Sequence, residues 1–155
     1  MNTRTILLVE DNAKDEALTL RALHKSGLAN PIAITRDGAE ALDYLFCTGA
    51  YAGRDPAEVP GLVLLDLNLP KLSGFDVLKR LRGDERTKLM PVCILTSSDE
   101  ERDILKGYQS GANSYVRKPV EFGQFVNAVQ QLGLYWLILN EAAPFPSKDP
   151  SPHGT

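Results

Sequence analysis

Five short apolar runs alternate with five stretches of helical period, and that alternation leaves the chain few folds to choose from. The runs are Thr5–Val9, Ile32–Thr35, Leu62–Leu65, Pro91–Leu95 and Ser114–Val116. Each is short, rich in β-favouring residues and followed by polar or turn-forming residues, as in strands covered on both faces. The first helical stretch places Ala17, Leu20 and Leu23 on one side and leaves Lys14, Asp15, Arg21 and Lys25 for solvent, and Gly27 stops it. Asp37 and Glu40 form a capping-box pattern ahead of Ala41, Leu42, Leu45 and Phe46. Ser73 with Asp76 opens a third helix with Val77, Leu78 and Leu81 inward, and Ser98 with Glu101 opens a fourth that runs to about Tyr108. The fourth has a thin apolar face, Ile104 and Leu105. A fifth starts near Glu121 and turns Phe122, Phe125, Val126, Val129 and Leu132 inward. Strands alternating with helices imply an α/β protein, a parallel sheet with helices on both faces. Gly49 to Pro60 is a 12-residue connection, long for a compact domain. No internal repeat is visible.

Composition narrows the function classes. The 155 residues amount to about one domain, and a hydrophobic share of 43% can build a core. A net charge of −3 with no basic run argues against nucleic-acid binding. Met1 to Thr5 has no signal-peptide character, and no run approaches a membrane span. Cys47 and Cys93 read as buried free thiols. His24 and His153 read as chemically inert. Together these features predict a soluble cytoplasmic protein.

The chemistry gathers where the strands end. Leu62–Leu65 runs into Asp66, and in an open parallel sheet ligands bind beyond the carboxyl ends of the strands. A lone aspartate there would read as a turn cap. The same edge collects Glu10, Asp11, Thr96 and Lys118. Three crowded carboxylates repel one another unless a cation neutralises them, and a set of oxygen donors suits Mg²⁺. Asp11 and Asp66 are expected as direct ligands, Glu10 through water, and the Asn68 backbone carbonyl as a further oxygen. Asp66 then becomes a usable nucleophile toward a phosphoryl group. Mg²⁺, the Lys118 ammonium and the Thr96 hydroxyl would each meet one of its three oxygens.

Four motifs, in this order and at strands of the right rank, carry a resemblance: Val9-Glu10-Asp11-Asn12, Leu65-Asp66-Leu67-Asn68-Leu69-Pro70 with Gly74, Leu95-Thr96-Ser97, and Tyr115-Val116-Arg117-Lys118-Pro119. From about Thr5 to Gln131 the chain resembles the receiver domain of two-component response regulators. The first acidic pair is Glu-Asp where many receivers have Asp-Asp. The resemblance implies a flavodoxin-like (βα)5 fold with strand order 2-1-3-4-5, Mg²⁺-dependent phosphorylation of Asp66 by a sensor histidine kinase, and a cis peptide between Lys118 and Pro119. It also implies a switch in which Thr96 moves toward the phosphoryl group and Tyr115 turns into the vacated space. Asn68 and Ser98 would tune the lifetime of the acyl phosphate.

Leu132 to Leu139 is apolar all the way round and holds the only Trp. This surplus, with Trp136 and Leu139 at its centre, is expected to pack on a second copy as a homodimer. The long Gly49–Pro60 connection and the Tyr135-Trp136-Leu137 region also resemble the small single-domain regulators paired with phytochrome kinases. The expected organisation is a receiver domain with an extended C-terminal helix over 5–139, then a Pro-rich, disordered tail over 140–155 that holds four of the ten prolines. With no output domain after Leu139, the phosphorylated form would act by protein binding or by passing the phosphoryl group to a histidine phosphotransfer protein. The competing class is a Mg²⁺-dependent phosphohydrolase with an aspartate nucleophile. That chemistry wants a second acid two residues on, where this chain has Asn68.

Overall fold

The computed structural model describes residues 4–25, 27, 29–96, 101–117 and 122–134, with side chains for all of these except 101, 122, 125, 129 and 132–134. The strands are β1 (Ile6–Val9), β2 (Ile32–Thr35), β3 (Leu62–Leu65), β4 (Val92–Thr96) and β5 (Ser114–Arg117). The helices are α1 (Ala13–Lys25), α2 (Gly38–Phe46), α3 (Gly74–Arg82), α4 (Glu101–Gln109) and α5 (Phe122–Leu134). All strand pairs are parallel, in the order β2-β1-β3-β4-β5. The expected flavodoxin-like order is therefore present. Among the described residues no helix is long and apolar enough to cross a membrane.

Alternate residues of each strand face opposite ways, so the sheet supports two cores. Leu7, Val9, Val63, Leu65, Val92 and Ile94 pack with Ala41 and Leu45 of α2 and Val77, Leu78 and Leu81 of α3. Ile6, Leu8, Leu62, Leu64, Cys93 and Leu95 pack with Ala22 and Leu23 of α1 on the other face, joined by Val126 of α5. All four residues of β1 and of β3 are buried, as the apolar runs predict.

Several local signals act as expected. Ser73 accepts from the Asp76 N–H while Asp76 bonds back to the Ser73 N–H, a complete capping box. Asp37 Oδ1 accepts from the Glu40 N–H at 2.7 Å, but Glu40 reaches past the cap to the Arg36 N–H at 2.8 Å. The bond from the Glu40 N–H holds the Asp37 carboxyl below its ordinary range, with help from Lys71.

Other readings need correction. Ala17 is exposed; the buried face of α1 is Thr19, Ala22 and Leu23, a phase set by its docking on β1 and β3. Leu105 is 58% exposed, and among the described side-chain positions of α4 the buried one is Gly107. A Cβ there would stand 2.8 Å from Ile94 Cδ1 and 3.1 Å from the Tyr115 ring, so any larger residue would have to push these side chains aside. Cys93 is buried, and burial pushes its thiol up to about 12, but Cys47 is only half-buried in a left-handed cap (φ 55°) at the end of α2. The Gly49–Pro60 connection contains a 3-10 turn over Gly49–Tyr51. Tyr51 OH donates to Glu40 Oε2 at 2.7 Å, and this bond raises the phenol to about 12. Arg54 donates to the Tyr44 and Glu58 carbonyls and lies 4.2 Å over the Tyr44 ring, so the segment is pinned to α2. The inward roles given to Phe122, Phe125, Val129 and Leu132, the Ser98 cap, the Lys118–Pro119 peptide, the Trp136 and Leu139 contacts and the 140–155 tail lie outside the described residues or side chains.

Gly74 shapes the crevice. Its ideal Cβ would sit 2.3 Å from the Asp66 carbonyl oxygen and 2.8 Å from Leu67 Cα, both backbone atoms that cannot yield. Glycine thus allows α3 to begin directly against the end of β3. Gly74→Ala is expected to lower unfolding free energy by about 1–3 kcal/mol in urea titrations. Gly53→Ala, where a Cβ meets nothing within 4 Å, should change it by less than about 0.5 kcal/mol. Equal effects would contradict the close approach.

Candidate functional site

Register brings the site together. Val9 pairs with Leu65, so Glu10 and Asp66 leave neighbouring strands side by side. The Asp66 N–H donates to the Val9 carbonyl at 3.1 Å, and the Glu10 N–H to the Thr35 carbonyl at 3.0 Å. Both acids are therefore fixed by continued sheet bonding, and their side chains are buried: Glu10 is 1% exposed and Asp66 7%. From β4 the Thr96 hydroxyl donates to Asp66 Oδ1 at 3.2 Å, and the Asn68 N–H donates to the same oxygen at 3.0 Å. Thr96 pairs with Arg117, the residue before Lys118, which itself lies outside the described residues.

Of the expected acids the structure gathers Glu10 and Asp66. Their carboxylate oxygens and one of Asp15 all lie within 4.8 Å of one another, the one such group among the described residues. Asp11 stands outside it, exposed. Asp15 is the residue sequence reasoning missed. Helical phase alone assigns it to solvent, yet it is half-buried. The signal was present in the Asn12-x-x-Asp15 pattern: the Asp15 N–H donates to Asn12 Oδ1 at 3.0 Å, which fixes the start of α1 beside the end of β1. The exposed Asn68 side chain stands two residues beyond Asp66, where the competing hydrolase chemistry wants an acid.

The donor set fits a hard divalent cation. It is all oxygen, it is carboxylate-rich, and two of its members are taken almost wholly out of water, where like charges are costly. Glu10 and Asp66 would hold such an ion. Tyr115 is half-buried and packs on the α2–α3 core, with its ring edge against Gly107 of α4. The Thr96 hydroxyl and the Tyr115 ring thus lie on paired strands, β4 and β5, between the acid and α4.

Comparison with known proteins agrees with this geometry. A family model described as the response regulator receiver domain matches residues 6–130. The chain is 39% identical over 137 residues to the probable methanogenesis regulatory protein FilR2 of Methanothrix harundinacea, covering 88% of this chain and 86% of the relative. It is 35% identical over 134 residues to the response regulator Rcp1 of Synechocystis, covering 86% and 89%. The Mn²⁺-bound structure of Rcp1 superposes with a TM-score of 0.81 at 33% identity, covering 91% and 99%. The bacteriophytochrome response regulator AtBRR superposes with a TM-score of 0.74 at 52% identity, covering 91% and 100%.

Crowded carboxylates make a stability prediction. Two unit charges 4.8 Å apart or closer repel by about 3.5 kcal/mol or more at an effective dielectric of ~20. Loss of the bonds to Asp66 Oδ1 offsets part of that. Asp66→Asn should therefore raise unfolding free energy by about 1–3 kcal/mol in chelator-treated buffer. Adding Mg²⁺ should stabilise the wild type and leave the variant nearly unchanged. A variant less stable than wild type without metal would contradict the crowding.

Proposed function

The chain belongs to the response regulator receiver family, and as a two-component signalling protein we propose that it takes its phosphoryl group on Asp66 from a phytochrome-type sensor histidine kinase. The observation that carries the acceptor assignment is the buried Asp66 carboxylate, held at the end of β3 with the Thr96 hydroxyl 3.2 Å away. A carboxylate oxygen of Asp66 attacks phosphorus as the P–N bond of the phosphohistidine breaks, and the imidazole leaves. Asp11, Asp66 and the Asn68 carbonyl would hold Mg²⁺ directly and Glu10 through water, and the ion would offset the carboxylate charge and that of the incoming phosphoryl oxygens. Lys118 supplies the second cation and Thr96 a hydroxyl donor. These same groups assist both gain and loss of the phosphoryl group, with Asn68 and Ser98 setting its lifetime. The new anion draws Thr96 inward and Tyr115 follows.

Likeness to AtBRR favours a phytochrome kinase as the donor. Identity to that bacteriophytochrome regulator is 52%, against 39% to FilR2. The receiver works in the cytoplasm as a homodimer through Trp136 and Leu139, over a 5–139 domain with a 140–155 tail. Its output is binding to a downstream protein or onward transfer to a histidine phosphotransfer protein. The dimer rests on the all-round apolar Leu132–Leu139 sequence.

A phosphorylated bacteriophytochrome kinase mixed with the protein should lose its label to wild type within minutes and not to Asp66→Asn, read by phosphate-affinity electrophoresis. Transfer from an unrelated histidine kinase at an equal rate would contradict the phytochrome assignment, and transfer to Asp66→Asn would contradict the acceptor. Trp136→Ala with Leu139→Ala should halve the mass seen by light scattering; an unchanged mass would remove the dimer.

A further inference from the structure

Asp15 is the member of the carboxylate group that the receiver motifs do not account for. It is the third residue of α1, and the first turn there is fixed twice to Asn12. The Asp15 N–H donates to Asn12 Oδ1 at 3.0 Å and the Glu16 N–H to the Asn12 carbonyl at 2.9 Å. In a capping box the acid at this position turns back to accept from the N–H of the cap. Here Glu10 Oε2 accepts from the Asn12 N–H at 3.3 Å. The Asp15 carboxylate reaches the sheet edge instead, within 4.8 Å of oxygens from both Glu10 and Asp66. Its neighbour Glu16 points elsewhere and pairs with Arg36 at 3.1 Å.

We propose that Asp15 is a further acid of the divalent-cation site and sets how tightly the cation is held before the phosphoryl group arrives. The ligand class is a hard divalent ion, Mg²⁺ or Mn²⁺. This deepens the reading above and rests on it, since it requires a cation at Asp66. Oxygen-donor sites gain affinity with the number of carboxylates around the ion. Removing a supporting group around a metal typically weakens binding about 10–100-fold. With two neighbours almost fully buried, an added negative charge is felt strongly.

The test is calorimetric titration of Mn²⁺ into metal-free full-length wild type, Asp15→Asn, Asp15→Glu and Glu16→Gln, with a thermal melt of each. Asp15→Asn should raise Kd about 10-fold or more, Asp15→Glu should recover part of the loss, and Glu16→Gln should match wild type. A role confined to the helix start would lower the melting temperature of Asp15→Asn and leave its Kd at the wild-type value, which overturns the inference. Equal loss in Asp15→Glu and Asp15→Asn also overturns it, because a carboxylate would then not be the group that matters. Failure of wild type itself to bind Mn²⁺ would instead overturn the cation reading of the whole edge.

Discussion

Two carboxylates held almost out of water at the ends of adjacent strands are the constraint on which the rest depends. Glu10 and Asp66 cannot retreat, because the sheet continues through their own backbone N–H groups to Thr35 and Val9. Burying like charges is costly without compensation. The surroundings of Asp66 supply it: a hydroxyl from β4, a backbone N–H from Asn68, and a helix that starts against the Asp66 carbonyl because Gly74 has no side chain. A carboxylate-rich edge of this kind suits a hard divalent cation.

The path from that edge to α4 is short. Thr96 is the last residue of β4, and its neighbour on β5 leads back through Val116 to Tyr115. Tyr115 touches Gly107, the buried point of α4. Leu105 and Tyr108 of that helix, at 58% and 50% exposure, leave little apolar area to hold it. Its far end is better tied. The Arg82 guanidinium donates to the Gly111 carbonyl at 2.8 Å and to Asn113 Oδ1 at 2.9 Å, and also reaches the Met90 carbonyl at 2.8 Å. The helix is thus anchored beyond its C-terminal end through Arg82, and along its body Lys106 lies 4.5 Å over the Phe75 ring.

Much of this was legible in the sequence because buried parallel strands have a simple signature. Leu62–Leu65 is apolar without interruption because both faces are covered, and the acid that follows marks the end of the sheet. Capping patterns located the starts of α2 and α3. The misses share a cause, which is that side-chain direction depends on how a helix docks. Helical phase sent Asp15 to solvent and Leu105 inward, whereas the structure places Asp15 among the acids and buries Gly107. A glycine cannot announce itself as a contact by hydrophobicity. Length alone marks the Gly49–Pro60 segment in the sequence, but its fixed shape comes from Tyr51, Arg54 and Tyr44, partners far apart in periodicity.

The central claim is that Asp66 is a cation-dependent phosphoryl acceptor. The most direct measurement is intact mass after incubation with acetyl phosphate, with Mg²⁺ or with chelator, followed by borohydride reduction and peptide mapping. The account predicts one phosphoryl adduct, formed only with Mg²⁺, that maps to the peptide containing Asp66. An adduct that forms equally in chelator, or one that maps to another residue, would contradict it.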